Sequence, residues 1–382
     1  MAVCPPGAVK IAWGDLGQAA QKRFRTAGAW IETRRHIEKN TAARIRTGEE
    51  EALVYFLLQG REFTSHPPVE PEAVARTGNL PSARIHDLAA ALRRGKPGIR
   101  LAWARDLVGG RDAAQSLRSA SARVLQSLRE KRAMQGDGGA LARWYQVRGI
   151  STDTGLAGTY AVAAGLRSIA ARDANWRAGR VLVVGPGLDW APRGSWREEP
   201  SGSPQPWAVA ATLSQLGRRR PDLTVAAADV HPRVAAWFSQ PRRPPEPVLD
   251  SAIADEDVSG WRDDIAHWWG RDVRICGRRL NVVTERLPDA AFDLAVATNV
   301  LLYLSDEEAA LALANIAVMV RQGGYLVHNE MRAQVEAAAV AAGWKVIEVR
   351  TVRIRLAGEQ AAQDGAAPDG SVTRPVIVAR NS

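Results

Sequence analysis

The stretch Arg180-Val-Leu-Val-Val-Gly185-Pro-Gly187-Leu-Asp189-Trp190 decides the fold. Four apolar, mostly β-branched residues in a row read as a strand buried on both faces of a sheet. Gly185 and Gly187 follow at once, so the strand must break there. A parallel strand that ends in Gly-x-Gly leaves bare main chain at the carboxyl edge of the sheet, where open α/β sheets bind ligands. An ordinary buried strand and turn would look the same locally, and the downstream sequence separates the two readings.

Downstream, strand and helix patterns alternate, the sign of a parallel sheet covered on both faces. Ser201 to Pro206 leads into a helix through Leu216, closed by Gly217. Leu223 to Asp229 is a second strand ending on an acid. A carboxylate there can accept two hydrogen bonds from a ribose diol, or cap the helix that Pro232 opens. Leu280 to Glu285 reads as a third strand and Phe292 to Asn299 as a fourth. Ser305-Asp-Glu-Glu308 is a capping box opening a helix that ends at Gly323-Gly324. Tyr325 to Glu330 is a fifth strand. A helix over Ala333 to Ala342 follows, and residues 345–353 and 372–379 read as two closing strands joined by the loop 357–371.

The N-terminal half reads as helical, with stretches over residues 15–40, 49–59, 85–94, 100–107 and 111–134. A further helix, Leu156 to Arg172, carries Tyr160 and leads into the glycine strand, with Asp153 or Thr154 as its N-cap. The glycine-rich run 135–139 is the best internal break. The length of 382 residues exceeds the ~250–300 of a single core, and the division expected is a helical domain over 1–140 and an α/β domain over 141–382 with an insert at 240–280. Pro241, Pro244, Pro245 and Pro247 stiffen that insert, and Trp261, His267, Trp268 and Trp269 sit in a helix within it, as local packing or as a pocket wall.

The net charge of +10 resides wholly in the first half: residues 1–150 hold 25 Lys+Arg against 14 Asp+Glu. Such a half can bind nucleic acid or an acidic partner. Arg outnumbers Lys 45 to 6, as a coding bias toward arginine would produce, and no nucleic-acid signature accompanies it. Arg118, Arg123, Arg129, Lys131 and Arg132 read as a solvated helix face. Cys4 and Cys276 offer neither a disulfide framework nor a metal-ligand spacing, which suits a reducing compartment. The N-terminal residues lack a signal-peptide pattern, and no apolar run approaches the ~20 residues of a membrane span. The expectation is a cytoplasmic protein without a metal and without a membrane.

The order of motifs resembles the class I methyltransferases that use S-adenosylmethionine. The likeness rests on Val181-Leu-Val-Val-Gly-Pro-Gly, Asp229, the segment Leu287 to Leu304, and Arg321-Gln-Gly-Gly-Tyr-Leu-Val, and it covers about residues 150–380. The Asn-Val-Leu-Leu-Tyr-Leu segment and the long insert are also similar to chemotaxis-receptor glutamate methyltransferases. The chain resembles, too, bacterial methyltransferase-like proteins with a Val-Gly-Pro-Gly-Leu-Asp signature. The resemblance implies a Rossmann-like, mostly parallel seven-stranded sheet with an antiparallel closing hairpin. It implies S-adenosylmethionine as cofactor, with Gly185, Pro186 and Gly187 behind its methionine part and Asp229 and Val230 at the ribose. Thr284, Glu285 and Arg286 would edge the adenine; Thr298 and Asn299 would face the transfer site.

The pattern departs from the family in three places: Val183 replaces an acid, Asp189 replaces a glycine, and residues 190–203 delay the next helix. Candidate bases are His328, Tyr303, Glu330 and His231. Arg148 and Asp153, in a polar run that is either an interdomain loop or a lid, stand with Tyr160 and Trp268 as substrate contacts. Three functions stay open: methyl transfer to a small molecule or protein side chain, cofactor binding by a catalytically degenerate regulator, and methyl transfer to nucleic acid. A nicotinamide dehydrogenase fits less well, because the closing strand pair argues against it.

Overall fold

The fold is that of a computed structural model. It describes residues 3–94, 98–110, 112–134, 137–152, 156–189, 201–240, 273–355 and 371–382. In chain order its elements are β1 (Val9–Lys10), α1 (Gln18–Phe24), α2 (Ala27–Gln59), α3 (Pro71–Thr77), α4 (Ser82–Arg94), α5 (Ile99–Val108), α6 (Ala113–Ala133), α7 (Gly138–Val147) and α8 (Leu156–Arg172). Then come β2 (Ala178–Val184), β3 (Leu188–Asp189), β4 (Ser201–Gly202), α9 (Gln205–Gln215), β5 (Arg219–Asp229), α10 (Pro232–Phe238), β6 (Arg274–Arg279) and β7 (Glu285–Arg286). The chain closes with β8 (Phe292–Ala297), α11 (Asp306–Met319), β9 (Val320–His328), α12 (Ala333–Ala341), β10 (Trp344–Arg355) and β11 (Ser371–Asn381).

Seven strands form one sheet in the order β10-β11-β9-β8-β2-β5-β6. β11 runs antiparallel to both neighbours, and the remaining pairs are parallel. This is the sheet the resemblance implies, with the closing hairpin in its expected place. β2 lies in the interior of the sheet between β8 and β5, and Val181, Leu182 and Val183 are fully buried, which explains its uninterrupted apolar run. From β2 the chain crosses to β5 on one side, whereas β8 leads to β9 on the other. The strand order therefore reverses between β2 and β8, and the crevice for a ligand lies at their carboxyl ends.

The chain divides into two compact units. One holds residues 1–40, 154–187 and 202–382; the other holds 41–153 and 188–201. This differs from the 1–140 and 141–382 read from the sequence. The first forty residues belong to the sheet unit because they complete its core. Ile11, Leu16, Phe24, Trp30 and Ile37 pack in one cluster with Leu182, Val184, Ala226, Ala295 and Leu313. The Trp30 indole donates to the Ile11 carbonyl at 3.0 Å, and β1 pairs antiparallel with β7. Cys4 and Cys276 form a disulfide, their Cα atoms 5.8 Å apart. The free thiols expected from the sequence are corrected: 272 residues separate the partners, so no spacing rule could pair them. The fold brings them together by laying the N-terminal segment beside β6.

Three element boundaries also shift. The third strand is β6, residues 274–279, not 280–285. The Asn281 side chain accepts from the Val283 amide at 3.2 Å, and its carbonyl accepts from those of Thr284 and Glu285. A turn results, and Leu280, Val282 and Val283 are buried from it rather than from a strand. Gly323 and Gly324 do not cap α11 but lie inside β9, at a register shift opposite β8. Gly323 has φ +76°, and a Cβ on Gly324 would come within 2.9 Å of the Asp293 carbonyl, so the bulge demands both. The helix expected at 15–40 divides into α1 and the start of α2, and α2 runs on without a break through the helix expected at 49–59. Gly48 sits inside it because the Ile150 backbone leaves no room for a Cβ.

The helical unit is held by arginines. The buried Arg84 guanidinium donates to the carbonyls of Leu57, Gly60, His66 and Pro67, satisfying orphan carbonyls at the end of α2. Arg44 does the same for Tyr145 and Arg148 at the end of α7, and Arg129 for Ala75 in α3. Two apolar clusters, one around Phe56, Leu88 and Leu117 and one around Val54, Val74 and Val124, fill the spaces between helices. The capping box at Ser305 and Glu308 and the extent of α8 are as expected.

Candidate functional site

The site is built at the carboxyl tips of β2, β5, β8 and β9. Gly185 and Gly187 both take left-handed backbone conformations, φ +63° and +81°, which L side chains adopt at a cost. A Cβ on Gly185 would also come within 2.5 Å of Val300. The Gly185 amide donates to the Ala228 carbonyl at 2.7 Å, fastening the turn to the neighbouring strand.

Asp229 faces that turn. One carboxylate oxygen accepts from the Gly187 amide at 3.4 Å, the other from the His231 amide at 2.8 Å. Burial pushes the carboxyl above its usual range, opposed by those two bonds and by His231. The helix-cap alternative for Asp229 passes to His231, whose Nδ1 accepts from the Arg233 amide at the start of α10. Val230, half-buried, links the two.

Thr298 and Asn299 follow β8 directly, as expected. The Gln205 amide nitrogen donates to Thr298 Oγ1 at 2.6 Å. Asn299 has φ +58°, one of the few conformations an asparagine tolerates outside the usual regions. Asn329 holds it there: its Oδ1 accepts from the Asn299 amide at 2.9 Å, and its Nδ2 donates to Asn299 Oδ1 at 2.7 Å. Gly158 in α8 gives this pair room, since a Cβ there would lie 2.9 Å from Asn299 Nδ2.

His328 ends β9, level with Ala297 of β8. Its Nδ1 accepts from the Glu330 amide, so the proton of the neutral ring belongs on Nε2. Burial alone lowers its pKa from 6.5 to about 4. A buried, neutral ring that already carries its proton on Nε2 is a hydrogen-bond donor, not the base the sequence suggested. Glu330 is occupied as well: it accepts from the Arg332 amide and pairs with the Arg332 guanidinium at 3.3 Å. Tyr303 lies half-buried in a 3₁₀ turn, Leu301–Tyr303.

Other expected contacts are placed elsewhere. Glu285 and Arg286 form β7 against β1, beyond the Asn281 turn, so they do not stand at the tip of β6. Arg286 pairs with Asp15 at 2.9 Å, and Glu285 accepts from the Asn281 amide. Thr284 is fully buried, its carbonyl bound by the Ile11 amide. The residues that follow β6 directly are Leu280 and Asn281, and the Leu280 amide donates to the Asp229 carbonyl. Tyr160 is buried within α8, with Arg167 stacked 5.8 Å from its ring centroid. Arg148 belongs to the helical unit, where it pairs with Glu51, lies 4.4 Å from the Trp144 ring centroid, and lines a cavity of about 220 Å³. Asp153 and Trp268, with the rest of the aromatic helix at 261–269, lie outside the described residues. Sequence reading missed Gln205 and Thr159. Their only advance signal was a polar residue in the first turn of a helix beside the glycine motif.

Among the described residues no cluster could hold a metal ion, and no helix is long and apolar enough to cross a membrane. Among the described residues, the buried atoms Gln205 Oε1, Thr159 Oγ1 and His328 Nε2 have no partner. Each such atom costs about 1–3 kcal/mol unless a ligand satisfies it. A glycine turn, a facing carboxylate and a crevice at the strand-order reversal belong to an α/β protein of Rossmann-like fold.

No protein-family model matches the sequence, and no curated protein does. Among solved structures, the chain is similar to a TehB-like S-adenosylmethionine-dependent methyltransferase from Corynebacterium glutamicum, at 14% identity and TM-score 0.31, over 68% of this chain and 99% of that one. It is similar to the N-methyltransferase NodS from Bradyrhizobium japonicum, solved with S-adenosylhomocysteine, at 16% identity and TM-score 0.32, over 60% and 89%. A third is 1,6-didemethyltoxoflavin-N1-methyltransferase from Burkholderia thailandensis, at 15% identity and TM-score 0.31, over 68% and 86%.

Proposed function

We propose that the chain is an S-adenosylmethionine-dependent methyltransferase acting on a small molecule or a protein side chain. The observation that carries this reading is the Asp229 carboxylate held against the Gly187 amide at the tips of two adjacent parallel strands. That arrangement suits a nucleoside: bare main chain cradles one end, and the carboxylate grips the sugar hydroxyls. The residues fit the cofactor, because the unpartnered atoms of Gln205, Thr159 and His328 offer both acceptors and donors to its polar tail. When bound, the cofactor supplies an activated methyl group on a sulfonium, so the protein need only orient and shield the acceptor.

The chain's own groups narrow the acceptor. His328 is a neutral donor, and Glu330 is committed to Arg332. His328 is a poor base and Glu330 is already engaged, so the site suits an acceptor that arrives nucleophilic, such as a carboxylate, a thiolate or an unprotonated amine. His328 Nε2–H can hold an acceptor oxygen in place. The same shortage of bases supports a second reading, a cofactor-binding regulator without turnover. The nucleic-acid reading weakens, because Arg44, Arg84 and Arg129 donate to helix-end carbonyls and Arg123 pairs with Glu50.

Mass spectrometry of the purified protein for co-purified S-adenosylhomocysteine, with calorimetric titration of the same ligand, tests the reading. Micromolar binding is expected. Binding without methyl transfer to any acceptor favours the regulator, and absence of both binding and co-purified nucleoside overturns the proposal.

A further inference from the structure

The strand-order reversal between β2 and β8 is bridged by one side chain. Gln205 is fully buried in the first turn of α9. A short relay ties it to the glycine turn: the Ser203 amide donates to the Gly187 carbonyl at 3.3 Å, and the Gln205 amide donates to Ser203 Oγ at 3.2 Å. On the other side its Nε2 donates to Thr298 Oγ1, just past β8. The side-chain amide thus spans the crevice between the tips of β2 and β8. Its Oε1 is buried without a partner among the described residues.

A buried amide oxygen left without a hydrogen bond is costly. We infer that Gln205 Oε1 is the acceptor for a protonated amino group on the ligand, and that the site therefore selects nucleosides bearing an aminoacyl tail over those lacking one. The inference rests on the nucleoside reading above and adds to it the group that recognises the tail. Val183, on β2, is apolar and fully buried, so it offers the crevice no side-chain acceptor. Thr298 fixes the amide from behind, which leaves Oε1 as the free end. An ammonium supplies up to three N–H donors, and a neutral acceptor in a dry site binds one without the full desolvation cost of a carboxylate.

The test compares S-adenosylhomocysteine, which carries the tail, with 5′-methylthioadenosine, which lacks it, by calorimetry on the intact protein and two variants. Gln205→Met keeps the length and removes the acceptor. It should weaken S-adenosylhomocysteine roughly 10-fold or more and leave methylthioadenosine within about twofold. Gln205→Glu keeps an acceptor and adds a charge opposite to that of the ammonium, so it should bind S-adenosylhomocysteine at least as tightly as the wild type. Unchanged methylthioadenosine binding also reports that each variant is folded. Equal loss of both ligands in Gln205→Met, or a loss of S-adenosylhomocysteine in Gln205→Glu, overturns the assignment; the latter would mean that the free end donates to the tail carboxylate instead. Wild-type protein that binds neither ligand refutes the cofactor reading itself, a result distinct from the others.

Discussion

Asp229→Asn is the perturbation on which the nucleoside reading turns. Each carboxylate oxygen accepts one main-chain amide, from Gly187 and from His231. An ionised carboxylate has about four acceptor positions, so two remain for a pair of sugar hydroxyls. Hydrogen bonds to a charged group contribute about 1.5–3 kcal/mol each. The asparagine carbonyl retains one of them, so the net loss on S-adenosylhomocysteine binding is about 3 kcal/mol, or roughly 100-fold in Kd. Stability should move little. Burial raises the Asp229 pKa, and a group whose folded pKa is raised contributes stability at low pH that is lost as pH rises through that value. Above that raised value the ionised Asp229 is therefore a cost that asparagine removes. Against this, the asparagine NH₂ must face the Gly187 amide, a clash softened by the 3.4 Å separation. The apo Tm should stay within about 3 °C of wild type. Calorimetry supplies Kd, and scanning fluorimetry supplies Tm. The reasoning is refuted if the variant binds S-adenosylhomocysteine within threefold of wild type. It is refuted equally if the variant weakens 2′,3′-dideoxyadenosine, which has no diol to lose, as much as adenosine.

His328→Gln should flatten the acid side of the stability profile: a histidine lowered from 6.5 to about 4 contributes stability above 6.5 that is lost as pH falls toward 4. Tm measured between those values would show a smaller decline in the variant, and an unchanged slope would contradict the assignment. Any methyl-transfer activity should show no ionisation attributable to His328 between pH 6 and 8, and an acid limb that disappears in His328→Gln would restore it as a base. Arg84→Lys keeps the charge but cannot reach the four carbonyls the guanidinium holds. With at least two charge-assisted bonds lost, hydrogen exchange in residues 41–133 should report about 3 kcal/mol of destabilisation, and parity with wild type would show that charge alone matters. Cys4→Ser should cost about 2–4 kcal/mol in denaturant titrations under oxidising conditions and nothing in reductant; equal stability in both would mean that the bond does not constrain the unfolded chain.

Much of the sheet was legible because its signals are local. The buried run at Val181 to Val184, the capping box at Ser305 and the full extent of α8 each follow from periodicity and capping rules that operate within a few residues. Asp229 and Thr298 could be placed at the tips because a strand's end fixes its last side chains. What failed was long-range. Val282 and Val283 carry the composition of a strand, but Asn281 bends the main chain, and burial in the core supplies the apolar demand instead. Gly323 and Gly324 have the residue type of a helix cap, and only the register against β8 shows them to be a bulge. The pairing of Cys4 with Cys276 and the place of Trp30 in the sheet's core depend on residues far downstream. The place proposed for Gln205 was invisible because it comes from Thr298 and from an amide oxygen without a partner among the described residues, neither of which leaves a trace in local pattern.

The N-terminal segment has a consequence for biosynthesis. Ile11, Phe24 and Trp30 leave the ribosome well before the strands they cover, the first of which holds Leu182 and Val184, and Cys4 precedes its partner cysteine by 272 residues. At ribosomal rates the nascent chain carries those greasy side chains uncovered for roughly 8–30 s before even the first of those strands is made. Meanwhile the intervening helices, whose apolar clusters draw only on their own stretch of chain, have everything they require. Slowing translation past residue 153, or depleting chaperones that shield emerging chains, should therefore harm the yield of this protein more than it harms one whose first strand pairs with its second.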